Sequence, residues 1–178
     1  MNRSRKTAAV VVVLAALGGA ATIGAERAGW RWNSTESAPV GLWQVVRRAP
    51  ADGAWVTFCP PNDAMFQEFK ARGYIRGGPC PGDLERLLKP VVAMEGDVVT
   101  VGDDGVTVNG ALLPETELHT QDSRGWPLVP RVVVQVVVEP GDLWVVSNHS
   151  PLSVDSRYFG PIRAGSVEGT AVPVWVGR

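Results

Sequence analysis

The chain is short of the residues on which most hydrolytic and metal chemistry depends. It has two histidines, two cysteines and only three lysines (Lys6, Lys70 and Lys89) among 178 residues. Zinc sites draw on closely spaced Cys and His clusters. His119, His149, Cys59 and Cys80 are too few and too scattered to make one, so the sequence requires no metal and no cofactor. Net charge of one sign is missing too. Seventeen Lys+Arg against 18 Asp+Glu leave −1, so no global positive field is available to hold a nucleic acid. No tract concentrates the 20 glycines and 14 prolines, which are spread among Val-rich runs. That spread argues against disorder or a helical bundle and points to many short strands joined by turns.

One uncharged stretch stands apart. Thr7 to Ala25 follows Arg3, Arg5 and Lys6 and carries the run Val10 to Leu14. As a helix it would be roughly 28 Å long at about 1.5 Å per residue, near the ~30 Å of a hydrocarbon core. The basic flank keeps this end cytoplasmic while the rest crosses. A cleavable secretory signal, with Gly18 and Ala20 in a small-x-small site, is the competing reading. Both readings divide the chain alike, into an anchor or signal segment over residues 1–28 and an exported domain over 29–178. Export gives the cysteines a meaning: in an oxidising space, Cys59 and Cys80, which flank a Pro- and Gly-rich segment, are expected to pair.

The exported body reads as β. Strands are expected at Gly41–Val46, Ala54–Phe58, Lys89–Met94, Val98–Val101, Val106–Val108, Val132–Val138, Leu143–Val146 and Ala171–Val176, with turn chemistry at Gly102–Gly105, Asn109-Gly110 and Pro140-Gly141-Asp142. Helical spacing of Met65, Phe66 and Phe69 predicts a short helix over Asp63–Arg72 with Asn62 as its cap, and a second one is expected at Pro81–Leu88. The whole is a folded, barrel-like antiparallel sheet with one or two short helices in a disulfide-closed insertion.

With His119 and His149 in polar stretches, a histidine-based triad is disfavoured, and lysine is the base that remains. Lys70 lies on the polar face of the expected helix, and Lys6 on the wrong side of the membrane. Lys89 follows Leu87-Leu88 and precedes Pro90-Val91-Val92. Held against apolar surface it would lose solvation for its charged form and become a neutral amine able to take a serine proton; an edge lysine reaching out to water is the plainer reading. Ser37 is the candidate nucleophile, because Pro39 and Gly41 fix and bend the backbone just beyond it. In Ser153-Val154-Asp155-Ser156-Arg157-Tyr158-Phe159-Gly160, two charges within three residues suggest an ion pair bracing a loop.

These three stretches, in this order, resemble the signal peptidase I superfamily of Ser–Lys proteases. Within it they are most similar to the TraF-type transfer peptidases, which mature the pilin of conjugative plasmids. Ser37-Ala38-Pro39-Val40-Gly41-Leu42-Trp43 matches that branch's Ser-x-Pro-x-Gly-Leu-aromatic box. Lys89 to Asp97 resembles the Lys box ending in Gly-Asp, and Ser153 to Gly160 the Ser-x-Asp-Ser-Arg-x-aromatic-Gly box. General signal peptidases differ, placing Met directly after the serine and Gly-Asp-Asn-Arg-Asp-Asn where this chain has Ser147-Asn148-His149-Ser150-Pro151-Leu152.

The resemblance implies roles. Ser37 is the nucleophile, Lys89 the general base, and Ser153 the group that orients the lysine. Asp155 and Arg157 brace the site, and in this branch the Asp is also required for activity. Thr35 and the Ser37 N–H form the oxyanion hole. It further implies a serine peptidase, anchored in the inner membrane with its catalytic domain in the periplasm, or wholly periplasmic if the N-terminal segment is cleaved. That enzyme processes a pilin precursor, with head-to-tail cyclisation as one outcome, and other conjugative transfer proteins are candidate partners. A general signal peptidase and a non-enzymatic anchored subunit of the transfer channel are the alternatives.

Overall fold

In a computed structural model that describes residues 3–128, 135–150 and 152–177, the chain is mainly β. A leading helix, α1 (Arg3–Arg27), runs into β1 (Trp30–Asn33) and β2 (Gly41–Val46). Next come β3 (Trp55–Phe58), α2 (Ala64–Ala71), β4 (Leu87–Ala93), β5 (Val98–Gly102), β6 (Gly105–Val108) and β7 (Ala111–Leu112). The chain closes with β8 (Val136–Val137), β9 (Asp142–Val145), the single turn α3 (Ser156–Phe159), β10 (Ile162–Arg163) and β11 (Val167–Val176). Seven strands form a curled antiparallel sheet in the order β1-β2-β11-β3-β4-β9-β10, and four more form a second sheet, β7-β6-β5-β8.

The β5–β6 hairpin turns through Asp103-Asp104 with Gly102 opposite Gly105. Asn109 and Gly110, both at positive φ, turn β6 into β7, the backbone geometry that an Asn-Gly hairpin turn requires. Two cores result. Val56, Phe58, Leu87, Val91, Val145 and Phe159 lie in the larger one, and Val99, Val101, Val106, Trp144 and Val146 in that of the smaller sheet.

The disulfide Cys59–Cys80 is formed, with the Cα atoms 5.5 Å apart. Closing a loop of this size contributes roughly 3 kcal/mol by chain entropy. The insertion it closes carries α2, whose Phe66 and Phe69 enter the larger core and contribute about 1.5–3 kcal/mol each when fully buried. The cap is Asp63, whose carboxylate accepts from the Phe66 N–H at 3.0 Å. Asn62, expected in that role, instead accepts from the Gln67 side chain.

The second helix expected at Pro81–Leu88 does not form. Gly82 and Asp83 take positive φ, which breaks helical propagation. Cys80 bridges to Leu84, and the strand β4 begins two residues earlier than expected, at Leu87. Of the strand expected at Val132–Val138, residues 132–134 lie outside the described residues, and β8 is Val136–Val137.

The N-terminal helix is present over 25 residues. Among the described residues, however, no helix is long and apolar enough to cross a membrane.

Candidate active site

A cavity of about 530 Å³ opens between the loop after β1, the start of β4, the Ser153 loop and the disulfide-closed insertion; Ser37, Thr35, Lys89 and Ser153 all line it. Each part has a local cause. In β4 burial alternates, so Leu87, Lys89, Val91 and Ala93 face inward. Alternation in a strand sends every second side chain to one face, and Lys89 falls on the buried one. It is 3% exposed and pairs with Val56 across β3. Its ammonium donates to Ser153 Oγ at 2.7 Å. Burial pushes its pKa down from 10.5 to about 8, partly offset by the charges of Asp155 and Glu85, while Arg157 lowers it further.

Ser37 sits in a loop closed by the Asn33–Gly41 pair between β1 and β2. The loop is built around one side chain that sequence reasoning missed. Asn33 Nδ2 lies 2.9, 2.9 and 3.1 Å from the carbonyl oxygens of Thr35, Ala38 and Pro39. Its Oδ1 accepts from Thr35 N at 3.2 Å and Thr35 Oγ1 at 2.8 Å. Gly41 is required at the loop's exit. It has φ +146°, and a Cβ there would run into the Trp175 carbonyl and Val176 Cα of β11. Trp43 fastens the loop from below, its indole donating to Pro39 O at 3.0 Å.

The Ser37 hydroxyl lies 3.3 Å from Thr35 Oγ1. Because Thr35 gives its proton to Asn33, the hydroxyl of Ser37 donates in that pair. Among the described residues, no hydrogen bond joins Lys89 to Ser37. The two groups face one cavity, with the Lys89 amine turned to Ser153.

Asp155 and Arg157 lie behind this arrangement and do not line the cavity. They are fully buried and paired through Nε–Oδ1 and Nη2–Oδ2 contacts of 2.8 Å each. Asp155 also caps α3, accepting from Arg157 N at 3.2 Å. The Arg157 guanidinium further donates to the carbonyls of Ser153 (3.2 Å), Ser147 (3.4 Å) and Glu117 (3.1 Å). It thereby holds the loop that carries Ser153.

Ser147 is a second residue that sequence reasoning missed. Its N–H donates to Asp155 at 3.1 Å and its hydroxyl to the Ser37 carbonyl at 2.6 Å. One serine thus ties the Asp155–Arg157 pair to the loop of Ser37. Only its place at the head of the loop before Ser153 was visible in the sequence. Neither His119 nor His149 lines the cavity, and among the described residues no group of three or more His, Cys, Asp or Glu could hold a metal ion.

A serine hydroxyl and a buried amine of lowered pKa in one cavity, with fixed groups behind both, is an arrangement suited to acyl transfer. Several known proteins are similar to this chain. The plasmid transfer protein TraF of Escherichia coli is 39% identical over 163 residues, 89% of this chain and 92% of that one. A signal peptidase I of Mycobacterium tuberculosis is 34% identical over 90 residues, 48% of this chain and 31% of that one. A solved signal peptidase I from Enterococcus faecalis V583 aligns with a TM-score of 0.42 at 22% identity, covering 70% of this chain and 98% of that one. The model of the family described as signal peptidase, peptidase S26, matches residues 3–176, and the chain belongs to that peptidase family.

Proposed function

We propose that this protein is a membrane-attached serine endopeptidase of a conjugative transfer system that processes a pilin precursor with a Ser37–Lys89 dyad. The observation that carries the reading is Lys89 itself: a buried amine on a 2.7 Å bond to Ser153, facing the cavity that Ser37 also lines. The similarity to TraF over 89% of the chain supplies the transfer context.

The chemistry follows from these positions. Lys89, neutral, takes the Ser37 proton as Oγ attacks a peptide carbonyl, and returns it to the leaving amine as the C–N bond breaks. The oxyanion is held by the Ser37 N–H and by Thr35, whose hydroxyl must turn from Asn33 to donate. Ser153 orients the amine, and Asp155 with Arg157 holds Ser153. The Lys89–Ser37 hydrogen bond forms with substrate in place, as catalytic bonds that are long in the free enzyme commonly tighten in the complex. Water then resolves the acyl-enzyme to a linear product. Attack by the precursor's own amino terminus instead resolves it to a ring lighter by one water than the linear form.

Attachment to the inner membrane, with the domain on the periplasmic side, is supported by α1, whose Val11, Val12, Val13, Leu14, Leu17 and Ile23 are all exposed. It is also supported by a Trp pair beside it. Trp32 and Trp175 are 59% and 68% exposed with rings 6.0 Å apart, and tryptophans of this kind favour the membrane–water interface. The disulfide fits an oxidising compartment.

The test is mass spectrometry of the pilin precursor incubated with wild type, Ser37→Ala and Lys89→Ala. Wild type is expected to give a processed product and each variant none, with circular dichroism unchanged. Processing by either variant overturns the dyad. A general signal peptidase is the second reading, favoured by the similarity to the M. tuberculosis enzyme over 48% of the chain. It predicts cleavage of ordinary secretory precursors, which the transfer reading does not.

A further inference from the structure

Thr57 is anomalous in the cavity. It sits mid-strand in β3 and is 4% exposed, and among the described residues its hydroxyl is buried with no hydrogen-bond partner. Buried hydroxyls are ordinarily paired, because an unpaired one forfeits its bond to water and gains nothing in return. The strand offers Thr57 no partner. Its cross-strand neighbours are Leu88 on β4, which is apolar, and Gly169 on β11, which has no side chain. Valine, which has the same shape without the hydroxyl, fills neighbouring position 56 and would fit the sheet at no such cost. Thr57 and Leu88 both line the cavity shared by Ser37 and Lys89, one residue pair along the β3–β4 ladder from Lys89.

We infer that Thr57 is a specificity-determining residue. Its hydroxyl is completed by the substrate, pairing with a hydroxyl or carboxamide side chain of the precursor a few residues from the bond that is cut. The inference rests on the peptidase reading above and deepens it. A cleft that recognises only small apolar side chains gains nothing from a threonine here. One that must find a Ser, Thr or Asn gains discrimination, because a site built to bond such a group is left unpaired by the analogue that lacks it.

The test uses the full chain and peptides spanning the pilin precursor's cleavage site, with each of the three positions on either side of the cut set in turn to Ser and to Ala. At one position wild type is expected to prefer Ser over Ala by about tenfold in kcat/KM. Thr57→Val should bring that ratio to within about twofold, and Thr57→Ser should keep the preference. Thr57→Val should also unfold at the same or a higher temperature, since it removes an unpaired buried group. No Ser preference at any position in wild type, or a preference that survives in Thr57→Val, overturns the inference and leaves the peptidase reading intact. Absence of cleavage of every peptide and of the whole precursor by wild type overturns both.

Discussion

Ser147 Oγ donates a 2.6 Å hydrogen bond to the main-chain carbonyl of Ser37, across 110 positions of sequence. The same residue's N–H holds Asp155, and its carbonyl accepts from Arg157. The loop of Ser37 and the segment that leads to Ser153 are therefore fixed to one another through Ser147. Neither strand pairing nor the disulfide makes that connection.

Ser147→Ala removes the tie to Ser37 and leaves the backbone bonds to Asp155 and Arg157. It is expected to lower kcat about tenfold or more through misplacement of the nucleophile, with KM little changed. Its pH–rate profile should superpose on that of wild type, because Lys89 and its neighbours are untouched. Ser147→Thr, which keeps the hydroxyl, should recover most of the rate. A shift of the profile would instead locate the effect at the lysine.

On the proposed mechanism, Lys89 sets the pH dependence of both rate and stability. The base must be neutral, so kcat/KM should rise with pH through an apparent pKa near about 8. The effect on stability follows from the lowered value. Between about 8 and 10.5 the unfolded chain binds more protons at this position than the folded one, so this contribution to stability rises with pH across that window. Below it, the cost of the buried ammonium is present in full, roughly 3 kcal/mol at 1.36 kcal/mol per pKa unit. Lys89→Met should therefore be inactive yet more stable than wild type at pH 7, with the difference in urea midpoint shrinking as pH rises from 8 to 10.5.

Asp155 and Arg157 act on Lys89 with opposite sign, since the first raises its pKa and the second lowers it. Asp155→Asn should move the alkaline rise of kcat/KM to lower pH, and Arg157→Met should move it to higher pH. Each variant leaves one fully buried charge unpaired, which costs about 3–5 kcal/mol by denaturant titration. Opposite shifts would separate electrostatic tuning from a purely mechanical brace, which predicts loss of stability alone.

The local features were legible in the sequence because each rests on a short-range rule. Asn109-Gly110 turns, the Val-rich strands pair, and two lone cysteines around one insertion join. Legibility failed where two local rules competed. Asn62 and Asp63 are both good caps, and the chain uses Asp63 because Asn62 is engaged by Gln67. Residues 81–88 contain Leu84, Leu87 and Leu88 at helical spacing, yet positive φ at Gly82 and Asp83 and pairing of Leu87 with Phe58 draw the segment into β4.

By itself the sequence determined the chemistry on offer. With three lysines and two histidines, Lys89 was the one base set among apolar neighbours, and Ser37, Ser153, Asp155 and Arg157 were placed in boxes around it. What only tertiary structure decided is how these groups are held. Asn33, Ser147 and Thr57 are an ordinary asparagine, serine and threonine in the chain. Ser147 finds its partner 110 residues away, Thr57 finds none among the described residues, and Asn33 reaches carbonyls two to six residues ahead only once the loop between β1 and β2 closes around it. A side chain's worth in a site depends on what surrounds it once water is excluded, and that enclosure does not exist until the sheet has curled.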